Sequence, residues 1–202
     1  PPRLTGARHI LADKARIAIL ISGAGTNMAA LVYASRIADC PYEVVLVASN
    51  DPAAAGLALA QAEGIATFAL PHKGMTREAH DAAMEAAVLE AGADHIVLAG
   101  YMRILSDGFV ERWSGRMLNI HPSLLPAFPG LHTHQRAIDA GCRFAGATVH
   151  QVTVDLDNGP VLGQAVVPVM PDDNADTLAA RVLTQEHLIY PRVVAELLTS
   201  LR

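Results

Sequence analysis

Five short apolar runs, Arg16–Ile21, Glu43–Ser49, Ala66–Ala69, His95–Ala99 and Met117–Ile120, recur along the first part of the chain with alanine-rich stretches between them. Each run is too short for a helix and is continuously apolar, as in a strand buried on both faces of a parallel sheet. The intervening segments Asn27–Ser35, Ala54–Glu63, Thr76–Ala91 and Ser106–Trp113 carry helical patterns. Three of them stop near Gly64, Gly92 and Gly115, where helix C-termini favour glycine. A βαβ series of this kind predicts an α/β fold with a doubly wound, mostly parallel sheet.

After His121 the pattern changes. A loop rich in Pro, Gly and His leads to a short helix around Thr133–Ala140. Beyond it lie two extended segments, Gly146–Val154 and Val161–Val169, separated by Asp155-Leu156-Asp157-Asn158-Gly159-Pro160. They read as an antiparallel edge in the C-terminal third, because Pro168 fits an edge strand and not a central one. Asn174 to Leu201 then reads as a long closing helix capped by Asn174 or Asp173. Residues Pro1–Ala15 form a short N-terminal extension, and 16–202 a single domain.

The 202 residues are 51% hydrophobic without a biased tract, enough for a substantial core. A formal net charge of -5 and the lack of any Lys/Arg cluster argue against a nucleic-acid partner, so the expected partner is small. No run approaches the roughly 18 apolar residues of a membrane span, and Pro1–Lys14 lacks the apolar core of a signal peptide. The two cysteines, Cys40 and Cys142, are far apart and outside any CxxC, which suits a reducing compartment. A cytoplasmic protein is expected.

Chemistry concentrates in Met117-Leu118-Asn119-Ile120-His121-Pro122-Ser123-Leu124-Leu125-Pro126. Alternation along a strand puts Asn119 and His121 on one face, and Pro122 and Pro126 stiffen the chain immediately after it. An amide that can hold a developing oxyanion beside an imidazole that can carry a proton suits acyl-type chemistry on a carbonyl. Either Asp155 or Asp157, in a turn closed by Gly159-Pro160, could orient the imidazole and favour its acid form. The first strand runs into Ser22-Gly23-Ala24-Gly25-Thr26-Asn27 and a helix, an arrangement suited to a phosphate. It lacks the third glycine of a dinucleotide fingerprint and the Gly-Lys-Ser/Thr of a P-loop. His132 and His134 are spaced two apart at a loop-to-helix junction, which is not a metal knuckle, and no metal is expected. Glu186 lies inside the closing helix, either on a solvated face or as a carboxylate for a substrate amine.

Ile21–Asn27, Leu98-Ala99-Gly100-Tyr101-Met102-Arg103-Ile104-Leu105, Leu118–Pro126, Pro129-Gly130-Leu131-His132-Thr133-His134 and Asp155–Pro160 together resemble the phosphoribosylglycinamide formyltransferase family of folate-dependent formyl transferases. The resemblance runs from Arg16 to about Leu198. It implies a Rossmann-like fold and formyl transfer from the cosubstrate 10-formyltetrahydrofolate to the amine of glycinamide ribonucleotide, in purine biosynthesis. Carried over by residue, it implies a catalytic set of Asn119, His121 and Asp157, acting through a tetrahedral intermediate with no covalent enzyme adduct. Gly25, Thr26 and Asn27 would cradle the substrate phosphate, and Glu186 would meet its amine. Arg77, Met102, Arg103, Ile104, Leu105, Val152, Thr153, Val154 and Asp155 would line the folate pocket, with His132 and His150 supporting the site. Asn158 stands where the family loop has Gly or Glu, and because Asn tolerates positive φ the turn is expected to persist. Ala127 stands where relatives commonly carry Lys. A homodimer is left open.

Three other functions compete. A formyltetrahydrofolate hydrolase would carry an N-terminal regulatory domain for which Pro1–Ala15 is too short. A methionyl-tRNA formyltransferase would need a basic surface. A folate- or nucleotide-binding module would need no Asn, His and Asp together.

Overall fold

The structure is a computed structural model that describes residues 14–201; the rest of the expected N-terminal extension lies outside the described residues. Ala15, assigned to that extension, is the first residue of strand β1.

The chain runs β1 (Ala15–Ile21), α1 (Thr26–Ser35), β2 (Tyr42–Ser49), α2 (Ala55–Ala62), β3 (Thr67–Ala69), α3 (Arg77–Glu90), β4 (His95–Leu98), α4 (Asp107–Arg112), β5 (Met117–His121), α5 (Thr133–Asp139), β6 (Phe144–Gln151), β7 (Val161–Pro168) and α6 (Ala175–Ser200). The strands form one seven-stranded sheet in the order β3-β2-β1-β4-β5-β6-β7. The first five are parallel, and β6 and β7 join antiparallel, as the sequence predicts. Pro168 ends the edge strand β7, where no neighbour needs its missing N–H.

Strand alternation sorts the core into two apolar layers. Ile17, Ile19 and Ile21 face the side covered by α1 and α6, while Ala18 and Leu20 face the side covered by α3 and α4. All five are fully buried, and each large aliphatic side chain so placed contributes about 1.5–3 kcal/mol. Gly64, Gly92 and Gly115 follow α2, α3 and α4 with φ of 74°, 66° and 75°, the left-handed stop expected of them. Asn174 caps α6, accepting from the N–H groups of Asp176 and Thr177, while Thr177 returns the bond to the Asn174 N–H.

The largest departure from the sequence reading is at β6. β6 spans Phe144–Gln151 rather than Gly146–Val154. The Val152 N–H turns to the Met117 carbonyl, and the chain leaves the sheet there. Val152, Thr153 and Val154 therefore belong to the loop.

The strand order reverses between β1 and β4, so the crevice outside their carboxyl ends is where an open α/β sheet takes its ligands. The Ser22–Asn27 turn, the Gly100–Leu105 loop and the end of β5 all open there.

Candidate active site

Asn119 and His121 leave β5 on one face, and the antiparallel register sets Asn119 directly opposite His150 on β6. His150 is buried, and its Nδ1 lies 2.9 Å from the Gln151 carbonyl, which accepts that N–H. Its Nε2 is then a lone pair, 3.3 Å from Asn119 Nδ2, which donates to it. Burial above all holds this imidazole below its usual pKa, keeping it neutral and fit to accept. One Asn119 N–H is so committed, and the other remains for a ligand.

His121 is buried beside Asp157. Its Nδ1 lies 3.4 Å from Asp157 Oδ2, and its Nε2 lies 3.0 Å from the Phe128 carbonyl. Both neighbours are acceptors, so both contacts become hydrogen bonds only when each ring nitrogen carries a proton. The Gly130 N–H donates to the same Asp157 oxygen at 2.8 Å, and Asp157 Oδ1 lies 3.9 Å from His150 Nε2. Of the two candidate aspartates, Asp157 holds the imidazole, and Asp155 is exposed.

Backbone strain gathers here. Phe128 (φ 54°), His132 (φ 57°) and Asp157 (φ 52°) are three of the four non-glycine residues with positive φ among the described residues, and they lie in the two loops that meet at the pair. Such conformations persist where the surroundings over-determine them, and they cluster at functional sites. The residue that takes positive φ in the second loop is Asp157 itself, not Asn158.

At the carboxyl end of β1 Gly25 takes φ 71° and opens α1, whose first N–H groups have no acceptor within the helix. The Asn27 amide turns inward and donates to Glu186 Oε2 at 2.6 Å, while its own oxygen is buried without a partner. Glu186 is buried rather than on a solvated face, and burial raises its pKa against the opposing Asn27 bond and the His121 charge. Asn27 and Glu186 thus present acceptors, while the backbone of Gly25–Asn27 and the exposed Thr26 hydroxyl offer donors to an anion.

The residues expected to contact folate are spread along this edge. Leu105, Tyr101 and Val152 pack in one apolar cluster, and Met102, Ile104 and Val154 leave apolar side chains exposed. The Thr153 hydroxyl donates to the Asp155 carbonyl. Arg77 opens α3 on a separate groove of about 430 Å³, which Ser106, Asp107 and Arg112 also line and which contains none of Asn119, His121 or Asp157. Arg103 lies in the loop with a buried, unpartnered Nε. His132 is exposed at the N-cap of α5. Among the described residues no group of three or more His, Cys, Asp or Glu side chains could hold a metal ion.

Four contributors escaped the sequence reading. The Phe128 carbonyl and the Gly130 N–H are backbone groups, and only the glycine left a trace in the sequence. Ser22 accepts from the Met102 N–H at 2.8 Å and donates to Asn50 Oδ1 at 2.5 Å, tying the two substrate-facing loops together. Arg136, one turn into α5, was unmarked by any motif.

A doubly wound sheet brings an Asn, a His and an Asp together at a strand end, in the same crevice as a glycine turn. The chain belongs to the formyl transferase family, which matches residues 15–194. Within that family its relatives include the Escherichia coli phosphoribosylglycinamide formyltransferase, 47% identical over 180 residues, or 89% of this chain and 85% of the relative. The solved phosphoribosylglycinamide formyltransferase from Brucella melitensis superposes with a TM-score of 0.88 at 52% identity, covering 92% of this chain and 96% of that one. The human trifunctional purine biosynthetic protein adenosine-3 is 44% identical over 179 residues. Those residues are 88% of this chain but 18% of that protein, so the chain spans under a fifth of its length.

Among the described residues no helix is long and apolar enough to cross a membrane.

Proposed function

We propose that this chain transfers the formyl group of 10-formyltetrahydrofolate to the primary amine of glycinamide ribonucleotide, in de novo purine biosynthesis. The observation that carries the reading is the convergence of Asn119, His121, Asp157 and His150 at the end of β5.

The amine lone pair attacks the formyl carbon, and the carbonyl π electrons move to its oxygen, giving a tetrahedral intermediate. The uncommitted Asn119 N–H meets that oxyanion. His121 supplies a second donor, since an anion outcompetes a neutral carbonyl for the N–H now turned to Phe128. Collapse breaks the bond to folate N10, which takes up a proton while the former amine loses one. Asp157 keeps the imidazole oriented, and His132 and His150 support the site. The backbone N–H groups of Gly25, Thr26 and Asn27 hold the phosphate. Glu186 and the Asn27 oxygen accept from the substrate amine. Folate lies along Met102, Arg103, Ile104 and Leu105 and the Val152–Asp155 segment, with Arg77 and Arg103 toward its carboxylates.

The test is loss of formylfolate absorbance with and without glycinamide ribonucleotide. Loss only with the ribonucleotide is expected. Loss without it indicates hydrolysis, and ligand-induced stabilisation with no loss in either case indicates a binding protein.

A further inference from the structure

We propose that Arg136 is a positioning residue for the His121–Asp157 pair, acting through the loop Phe128–Leu131. One short loop touches both partners. Its Phe128 carbonyl accepts the His121 Nε2–H at 3.0 Å, and its Gly130 N–H donates to Asp157 Oδ2 at 2.8 Å. Displacing the loop therefore moves the imidazole and the carboxylate together.

The loop does not hold this shape by its own preferences. Phe128, Gly130 and His132 take φ of 54°, 77° and 57°, and a bulky aromatic residue there is a backbone outlier. Left to itself such a segment relaxes.

Arg136 fastens it. Its Nη1 donates to the Pro129 carbonyl at 2.5 Å and to the Leu131 carbonyl at 3.2 Å, and the guanidinium carbon lies 5.5 Å from the centre of the Phe128 ring. The residue is anchored on α5, where its own N–H bonds the His132 carbonyl at 3.0 Å. No carboxylate lies within ion-pair distance of Arg136 among the described residues, so its donors go to this loop. Both bonds leave one nitrogen, so what sets the guanidinium apart from an ammonium here is the planar, weakly hydrated group held over the Phe128 ring. Among the described residues Arg136 makes no hydrogen bond or ion pair with His121 or Asp157 themselves, so its effect on them passes through the loop.

The kinetic arm of the test rests on the formyl-transfer reading, and the spectroscopic arm does not. Arg136→Met keeps an apolar stem beside Phe128 and removes the guanidinium, while Arg136→Lys keeps charge and donors without the planar group over the ring. Measured are kcat, both KM values and the ¹⁵N-detected ring signals of His121 in the ligand-free protein. The Met variant should lose on the order of tenfold in kcat, as a slightly misplaced group does, with both KM values within about twofold. Its His121 Nε2 signal should shift, and the Lys variant should fall between it and the parent. Unmoved His121 signals in a folded variant overturn the proposal, as does a kcat within about twofold of the parent. Should the Met variant not fold, the same readouts on the Lys variant decide. A parent protein without formyl transfer removes the functional reading and leaves the His121 signals to judge Arg136.

Discussion

Asp157 serves several partners with two oxygens, and the substitutions available there separate charge from anchoring. Asp157→Asn can still accept the Gly130 N–H through its amide oxygen but offers His121 no negative charge. Asp157→Ala loses both. Each variant should lower kcat on the order of 10²-fold or more, since the imidazole loses the carboxylate that orients and polarises it. The Ala variant alone should also lose thermal stability by freeing the Phe128–Leu131 loop. Steady-state kinetics beside thermal melting checks this, and an Asn variant turning over within a few-fold of the parent removes the charge from the mechanism. At this scale the sequence was legible where the information is local. Asn119 and His121 follow from alternation on one strand. The Phe128 carbonyl did not, because every residue carries a carbonyl and only tertiary folding aims this one at an imidazole. The strained residue of the second loop was assigned by intrinsic tolerance to Asn158, yet contacts with His121 and Gly130 over-determine Asp157 instead.

Between elements, the site depends on a close approach of two helix starts. Gly56, near the start of α2, donates its N–H to the Gly23 carbonyl at 3.1 Å, and its Cα lies against the Gly25 turn. A Cβ on Gly56 would sit 3.1 Å from the Gly25 Cα, 3.3 Å from the Gly23 oxygen and 2.5 Å from Ile21 Cδ1. The Ile21 terminus can rotate aside, whereas the backbone of the turn must shift. Gly56→Ala should therefore raise the KM for the ribonucleotide several-fold, of the size roughly 1 kcal/mol of lost phosphate contact gives, and leave that for formylfolate nearly unchanged. Equal rises for both substrates, or none, would contradict the placement of the phosphate at this turn. The elements themselves were legible from hydrophobic period and glycine stops, and most bounds agree within a residue or two. β6 was extended too far because Val152-Thr153-Val154 has strand-forming residues, while the destination of the Val152 N–H is settled by Met117 in another strand. The packing of Gly56 on Gly25 was hidden for the same reason: it joins two helix starts that the sequence separates by a helix and a strand.

At the scale of the whole molecule, burial leaves four histidines among the described residues with depressed pKa values. His95, His134, His150 and His187 all sit below the ordinary value of 6.5, with burial the leading cause in each. His95 Nδ1, His134 Nε2 and His187 Nε2 are buried without hydrogen-bond partners, so a proton taken up there meets no acceptor. Below about pH 6.5 the unfolded chain binds protons that the folded one refuses, so stability falls as pH falls through this window. Glu186 acts in the opposite sense. Its pKa is raised above 4.5, so the folded state holds its proton more tightly and loses that contribution as pH rises through the folded value. One group opposes four, and the histidine direction should dominate between about pH 7.5 and pH 5.5. The melting temperature should fall by a few degrees across that interval, since about 1 kcal/mol corresponds to roughly 2–4 °C for a chain of this size. His187→Gln removes one titrating group from α6 and should flatten the slope. A melting temperature that is level or rises on acidification would show that the buried imidazoles gain partners on protonation that the neutral arrangement does not reveal.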